Sequence, residues 1–137
     1  MRAEVFALPL MLVTGAVSAQ TISTVEVEEF ARGPQRFVGK PIRIVAARCV
    51  NEPKGKYACR ADRNNVLVQV EGLSLDFRTS VDTRRKLSGQ CRTPLVSAPE
   101  SCTFAAEFKP LSFRTTRSED RTSKTTIYVK VRRLDLF

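Results

Sequence analysis

Apolar and polar side chains alternate with a two-residue period in several stretches, and these stretches set the element order. From Ile42 to Val50, Ile42, Ile44 and Ala46 alternate with Arg43, Val45 and Ala47 in a β-branched run that predicts a first strand. Tyr57 to Asp62 is the expected second strand and Asn64-Asn65 a turn. Val66 to Val70 is the third, with Val66, Val68 and Val70 on one face. These three form a meander, which Leu75 to Phe77 could prolong. Cys102 to Lys109 returns to strand, with Phe104, Ala106 and Phe108 on one face and Pro110 at a strand end, edge or bulge. Thr126 to Leu136 is the expected final strand, turning Ile127, Val129 and Val131 inward and Tyr128, Lys130 and Arg132 outward.

Helical signals are short. Thr24 to Arg32 places Val25, Val27, Phe30 and Ala31 among three glutamates, Glu26, Glu28 and Glu29, and Gly33-Pro34 stops it, so a short helix or turn with a solvated acidic face is expected. Val81 to Leu87 is the helix candidate in the middle of the chain, with Ser80 or Asp82 as N-cap and Gly89 as its end. Phe113 to Thr126 shows no apolar period and is expected to be a polar, Arg- and Thr-rich loop.

Three strands, a short helix and two strands is the element order of a five-stranded Greek-key barrel, the OB-fold, so the expected fold class is all-β. From about Phe30 onward the chain resembles the secreted bacterial OB-fold proteins and the tRNA anticodon-binding-like OB domains. The resemblance is carried by Arg36-Phe37-Val38-Gly39-Lys40-Pro41-Ile42-Arg43-Ile44 leading into the first strand and by the paired-strand layout after it. The expected organisation is a signal peptide over 1–19, an N-terminal extension with a short helix over 20–36 and an OB-fold-like domain over 37–137. Ile42, Ile44, Val66, Val68, Val70, Phe104, Phe108, Ile127, Val129 and Val131 would fill the barrel. Arg43, Gln69, Tyr128, Lys130 and Arg132 would face outward.

Composition narrows the chemistry. The chain of 137 residues carries 23 Lys and Arg against 14 Asp and Glu, a formal charge of +9, and no histidine. Imidazole general bases, Ser-His-Asp or Cys-His nucleophile activation and His-ligated metals are therefore excluded. Residues 1–19 read as an export signal: Arg2, an apolar run from Val5 to Val13 broken only by Pro9, and the small-residue end Val17-Ser18-Ala19, with cleavage before Gln20. The run is shorter than the roughly 20 residues a spanning helix needs, so no stable membrane span is expected after processing.

An exported, periplasmic or secreted location fits Cys49, Cys59, Cys91 and Cys102, an even set in a small chain that favours two disulfides. Of the three connectivities, the turn signals between them favour Cys49 with Cys59 and Cys91 with Cys102. A four-thiolate zinc site is the rival, but it normally shows close Cys-x2-Cys pairs.

The surplus charge gathers where this fold places its ligand loops. Lys54 and Lys56 stand beside Tyr57 in the first, and Arg114, Arg117, Arg121 and Lys124 fill the second, with Tyr57 and Phe113 available to stack on bases or sugars. Tyr128, Lys130 and Arg132 extend the set along the last strand. Arginine outnumbers lysine, which suits bidentate contact with phosphate or carboxylate. The expected ligand is an anionic chain or surface, nucleic acid or an acidic envelope polymer, bound without cofactor, metal or reaction. The one carboxylate pair flanked by arginines, Glu119-Asp120, reads as locally paired charge rather than a catalytic constellation. The alternative is a protein-interaction or envelope-structural module, an inhibitor or assembly subunit, in which the charge is incidental.

Overall fold

The computed structural model describes residues 21–73, 79–118 and 124–137. The expected signal peptide, the Leu75 to Phe77 prolongation, Glu119-Asp120 and Arg121 lie outside the described residues. The two-residue strand β1, Ser23–Thr24, and the short helix α1, Val27–Arg32, precede the expected long first strand, which is β2, Ile42–Glu52, the parallel partner of β1. It runs antiparallel to β3, Lys56–Arg63, and β3 runs antiparallel to β4, Val66–Gly72. This is the expected meander. Asn64 and Asn65 join β3 to β4 with φ of 48° and 65°. Two consecutive left-handed residues give the tight turn whose twist matches a hairpin, and asparagine tolerates that conformation better than most side chains.

After β4 come the helix α2, Val81–Ser88, and the strands β5, Thr103–Phe108, β6, Ser112–Arg117, β7, Thr125–Lys130, and β8, Leu134–Leu136. Ser80 is the N-cap of α2, its Oγ accepting from the Thr83 N–H, and the Gly89 N–H closes the last turn onto the Arg85 carbonyl. β5 and β6 follow one another across Lys109–Leu111, and β7 and β8 across Val131–Arg133. The two segments run antiparallel over both halves, β6 with β7 and β5 with β8. β7 is parallel to β4, and β5 antiparallel to β2. Counted as single strands, they complete a layout of five strands with a helix between the third and fourth: the fold is all-β and OB-like.

Three expectations change. Phe113 to Thr126 is not a loop throughout, because Ser112–Arg117 forms β6 against β7. Its outer edge has no partner strand among the described residues. Four of its six side chains in sequence, Arg114 to Arg117, are exposed, so no apolar period is needed, and Thr115 and Thr116 supply β-propensity instead. The final strand is not continuous: its partner is interrupted between β5 and β6, where Pro110 is buried, and pairing passes from β6 to β5. In β2, three steps from Ile44 to Ala47 face two steps on β5, a bulge that leaves Val45 and Ala46 exposed and turns Ala47 inward in place of Ala46.

The barrel core contains the expected apolar residues, with Val66 packed at its margin. It also takes Val25, Val27 and Phe30, so the N-terminal segment packs into the barrel rather than trailing from it. Only Val27–Arg32 of the expected helix is helical. Its Phe30 ring is fully buried and stacks on Phe37 at 5.5 Å. Arg43 is not a bare surface cation: it pairs across the strands with buried Glu107, the Nε to Oε1 distance being 2.8 Å. Glu26 and Glu28 lie 3.5 and 3.4 Å from Arg63, exposed pairs that add little stability.

All four cysteines are in disulfides, with the favoured pairing. Cys49 and Cys59 are directly opposed on β2 and β3. Cys91–Cys102 instead closes the segment between α2 and β5, here called the strap, which contains Pro94 and Pro99 and two short 3-10 turns. The Asn51 N–H donates to the Cys91 carbonyl at 2.8 Å, and Leu95 and Ala98 of the strap are buried with Val50 and Ala58 in a second, smaller cluster.

Candidate functional site

Strand register converts the outer barrel wall into rows that cross the strands. One row runs Arg48, Arg60, Gln69, Tyr128 and Arg114 over β2, β3, β4, β7 and β6. The adjacent row runs Val50, Ala58, Glu71, Lys130 and Ser112. The strap lies on the β2–β3 half of both, covering Val50 and Ala58 and receiving a hydrogen bond from Arg48 at the Ala98 carbonyl (3.4 Å). The other half is an open groove of 660 Å3 whose polar lining includes Lys56, Gln69, Glu71, Arg114, Tyr128 and Lys130.

Within the groove the Arg114 guanidinium carbon stands 4.8 Å from the centroid of the Tyr128 ring. A guanidinium held over an aromatic ring at this distance still has N–H groups to offer a ligand. Arg114, Lys56 and Lys130 form no ion pair among the described residues. At the end nearest the β2–β3 turn, burial pushes the Glu52 carboxyl up from its ordinary value, neighbouring Glu71 adds to the shift, and Lys56, opposite Glu52 in the ladder, partly offsets it. The groove thus offers cations, one aromatic face, an amide and a carboxylate: donors for an anion and a surface for a planar ring.

The structure brings Lys56, Arg114, Tyr128 and Lys130 together here. Lys54 lies in the 3-10 turn Pro53–Gly55, which enters β3 beside the groove. Tyr57 does not join them: it has the same strand parity as Cys59 and Ala61, so it is half-buried against the core instead of offering a stacking face. Phe113, opposite Val129, likewise packs against the core, although it also borders the groove. Arg117 is exposed at the far end of β6 opposite Thr125, and Arg132 is exposed in the break after β7. Lys124 lines a different depression of 590 Å3 with Asp62, Arg63, Asn64 and Asn65. The β2–β3 turn and the β6–β7 turn therefore lie at opposite ends of β4, since Lys56 and Lys130 flank its end and Thr125 pairs with its start.

Arg60 and Glu71 belong to the same wall but carry no sequence motif. The one available signal was their outward parity in strands whose inward residues were already recognised. The Arg60 Nε is buried without a hydrogen-bond partner, and no ion pair satisfies its guanidinium among the described residues.

No helix among the described residues is long and apolar enough to cross a membrane. No protein-family model and no curated protein sequence matches the chain. Among solved structures it is similar to a chain assigned as an aspartyl-tRNA synthetase of Leishmania major Friedlin, with 11% identity, TM-score 0.43, and coverage of 88% of this chain and 22% of that one. A second is an aspartyl-tRNA synthetase of Entamoeba histolytica, with 12% identity, TM-score 0.39, and coverage of 84% and 21%. The protein spans roughly a fifth of the length of either chain.

Proposed function

We propose that this small disulfide-stapled domain is an exported binding protein that takes an anionic chain into the groove over β4, β7 and β6, without cofactor or turnover. The observation that carries the reading is the Arg114 guanidinium over the Tyr128 ring with Lys56 and Lys130 on the same groove wall. Such a set can neutralise phosphates or carboxylates while an aromatic face holds a ring. Two disulfides fit an oxidising compartment, and residues 1–19 have the pattern of the signal that would deliver the chain there. N-terminal sequencing of the exported protein is then expected to start at Gln20.

The test is titration with a single-stranded oligonucleotide and an acidic polysaccharide at several salt concentrations. The log affinity for nucleic acid is expected to fall with log salt at about 0.7 per neutralised phosphate. Failure to bind either polymer at low salt would remove this reading. The outer edge of β6, which pairs with no strand among the described residues, favours the second reading, a protein partner that adds a strand there. Binding of that kind would rest on main-chain hydrogen bonds and depend only weakly on salt.

A further inference from the structure

Arg48 and Arg60 are neighbours in one row, on adjacent strands, yet their surroundings differ. Arg48 is engaged by the strap, at 3.4 Å from the Ala98 carbonyl and 3.8 Å from Glu100. Arg60 is half-buried beside it with an unpartnered Nε and no carboxylate paired with it among the described residues. Beyond Arg60, away from the strap, the row continues through Gln69 and Tyr128 to Arg114 with nothing described lying over it. From Arg60 to Arg114 are three inter-strand steps, about 14 Å.

Resting on the anionic-chain reading above, we propose that the ligand is a short stretch of single-stranded nucleic acid. It crosses the strands along Arg114, Tyr128, Gln69 and Arg60, and the strap ends this track at Arg48. The order of side chains favours nucleic acid over an acidic glycan. An arginine stands at each end of the track to hold phosphate bidentately. Between them, Tyr128 offers a face for a base and Gln69 an amide suited to a base edge. A track of three strand steps is short for this kind of barrel. Single OB folds cover about 4–16 nucleotides, and this one belongs at the low end because its own chain occupies the β2–β3 half of the wall.

The experiment uses the full oxidised protein and thymidine oligomers of about 2, 4, 8 and 16 nucleotides, chosen to span that range. Affinity is expected to rise to about 4 nucleotides and then to increase only by the statistical gain from added registers. Arg60→Gln is expected to weaken binding about tenfold. It is also expected to lower the salt slope by about 0.7. Arg60→Lys should retain the slope that Arg60→Gln loses, whereas a merely structural role for Arg60 would leave the slope the same in both variants. Arg48→Gln should change neither quantity. Melting curves of all three variants separate loss of contact from loss of fold. Affinity that keeps climbing to the longest oligomer, or an Arg48→Gln effect equal to that of Arg60→Gln, would show that the track continues past the strap and overturn the inference while leaving the anionic-chain reading in place. Binding of acidic polysaccharide but no oligonucleotide would also overturn it. Binding of neither would remove both.

Discussion

The two halves of the barrel's outer wall share the same rows and have opposite fates. In the row Val50, Ala58, Glu71, Lys130, Ser112, the residues on β2 and β3 are apolar and fully buried under Leu95 and Ala98, whereas those on β4, β7 and β6 are polar and exposed. The change of character between Ala58 and Glu71 coincides with the end of the strap's cover. A wall position in this barrel is therefore assigned to packing or to a ligand by what the crossover after α2 can reach, since the strand geometry is the same on both sides.

The largest effect on that contrast is expected from Cys91→Ser together with Cys102→Ser. Opening a loop of this length costs roughly 3 kcal/mol in the chain-entropy account, and the strap would lose its anchor. A denaturant titration measures the loss, and faster amide exchange at Val50 and Ala58 reports the uncovered face. Leu95→Ala is the next step down, about 2 kcal/mol, at the low end for a buried leucine because its cluster is small. Groove binding should persist in that variant, and a fall in affinity as large as the fall in stability would mean that the two halves are not independent.

On the open side, Arg114→Ala with Lys130→Ala is expected to reduce oligonucleotide affinity at least tenfold while changing stability by no more than about 0.5 kcal/mol, because both residues are exposed.

The smallest effect belongs to Glu52. Its folded-state pKa lies above its ordinary value, so the native protein binds that proton more tightly than the unfolded chain does. Its contribution to stability is fully present below the ordinary carboxylate range and declines as pH rises toward the folded pKa. Glu52→Gln, which cannot ionise, should therefore melt slightly above wild type at neutral pH, with the difference shrinking on acidification. A difference that grew on acidification would reverse the sign of the argument.

Much of this layout was legible from alternation alone. Val66, Val68 and Val70, and later Ile127 and Val129, face inward because a half-buried strand leaves a period of two in the sequence. The same logic placed Tyr128 and Lys130 correctly outward. At Tyr57 side-chain chemistry suggested a ligand face against that logic, since its parity with Cys59 and Ala61 assigns it to the core. β6 escaped notice because an exposed edge strand needs no apolar face, and its pairing is carried by backbone groups common to every sequence. The strap was illegible for a different reason. Val50 and Ala58 occupy outward positions, and an apolar residue there announces that something covers it without saying what.

The bulge in β2 has one further consequence, for how this chain can change over evolutionary time. Ahead of it the even-numbered positions Ile42 and Ile44 face the core, and after it the odd-numbered Ala47 and Cys49 do. Losing one residue between Ile44 and Ala47 would remove the bulge and leave a regular alternation with Ala47 and Cys49 still inward, whereas losing both Val45 and Ala46 would place the Cys49–Cys59 bridge outside the barrel and Arg48 and Val50 within. Lineages descending from this sequence can therefore lose the bulge as a single deletion far more readily than they can lose both of its residues, because only the single deletion keeps every downstream side chain on its present face.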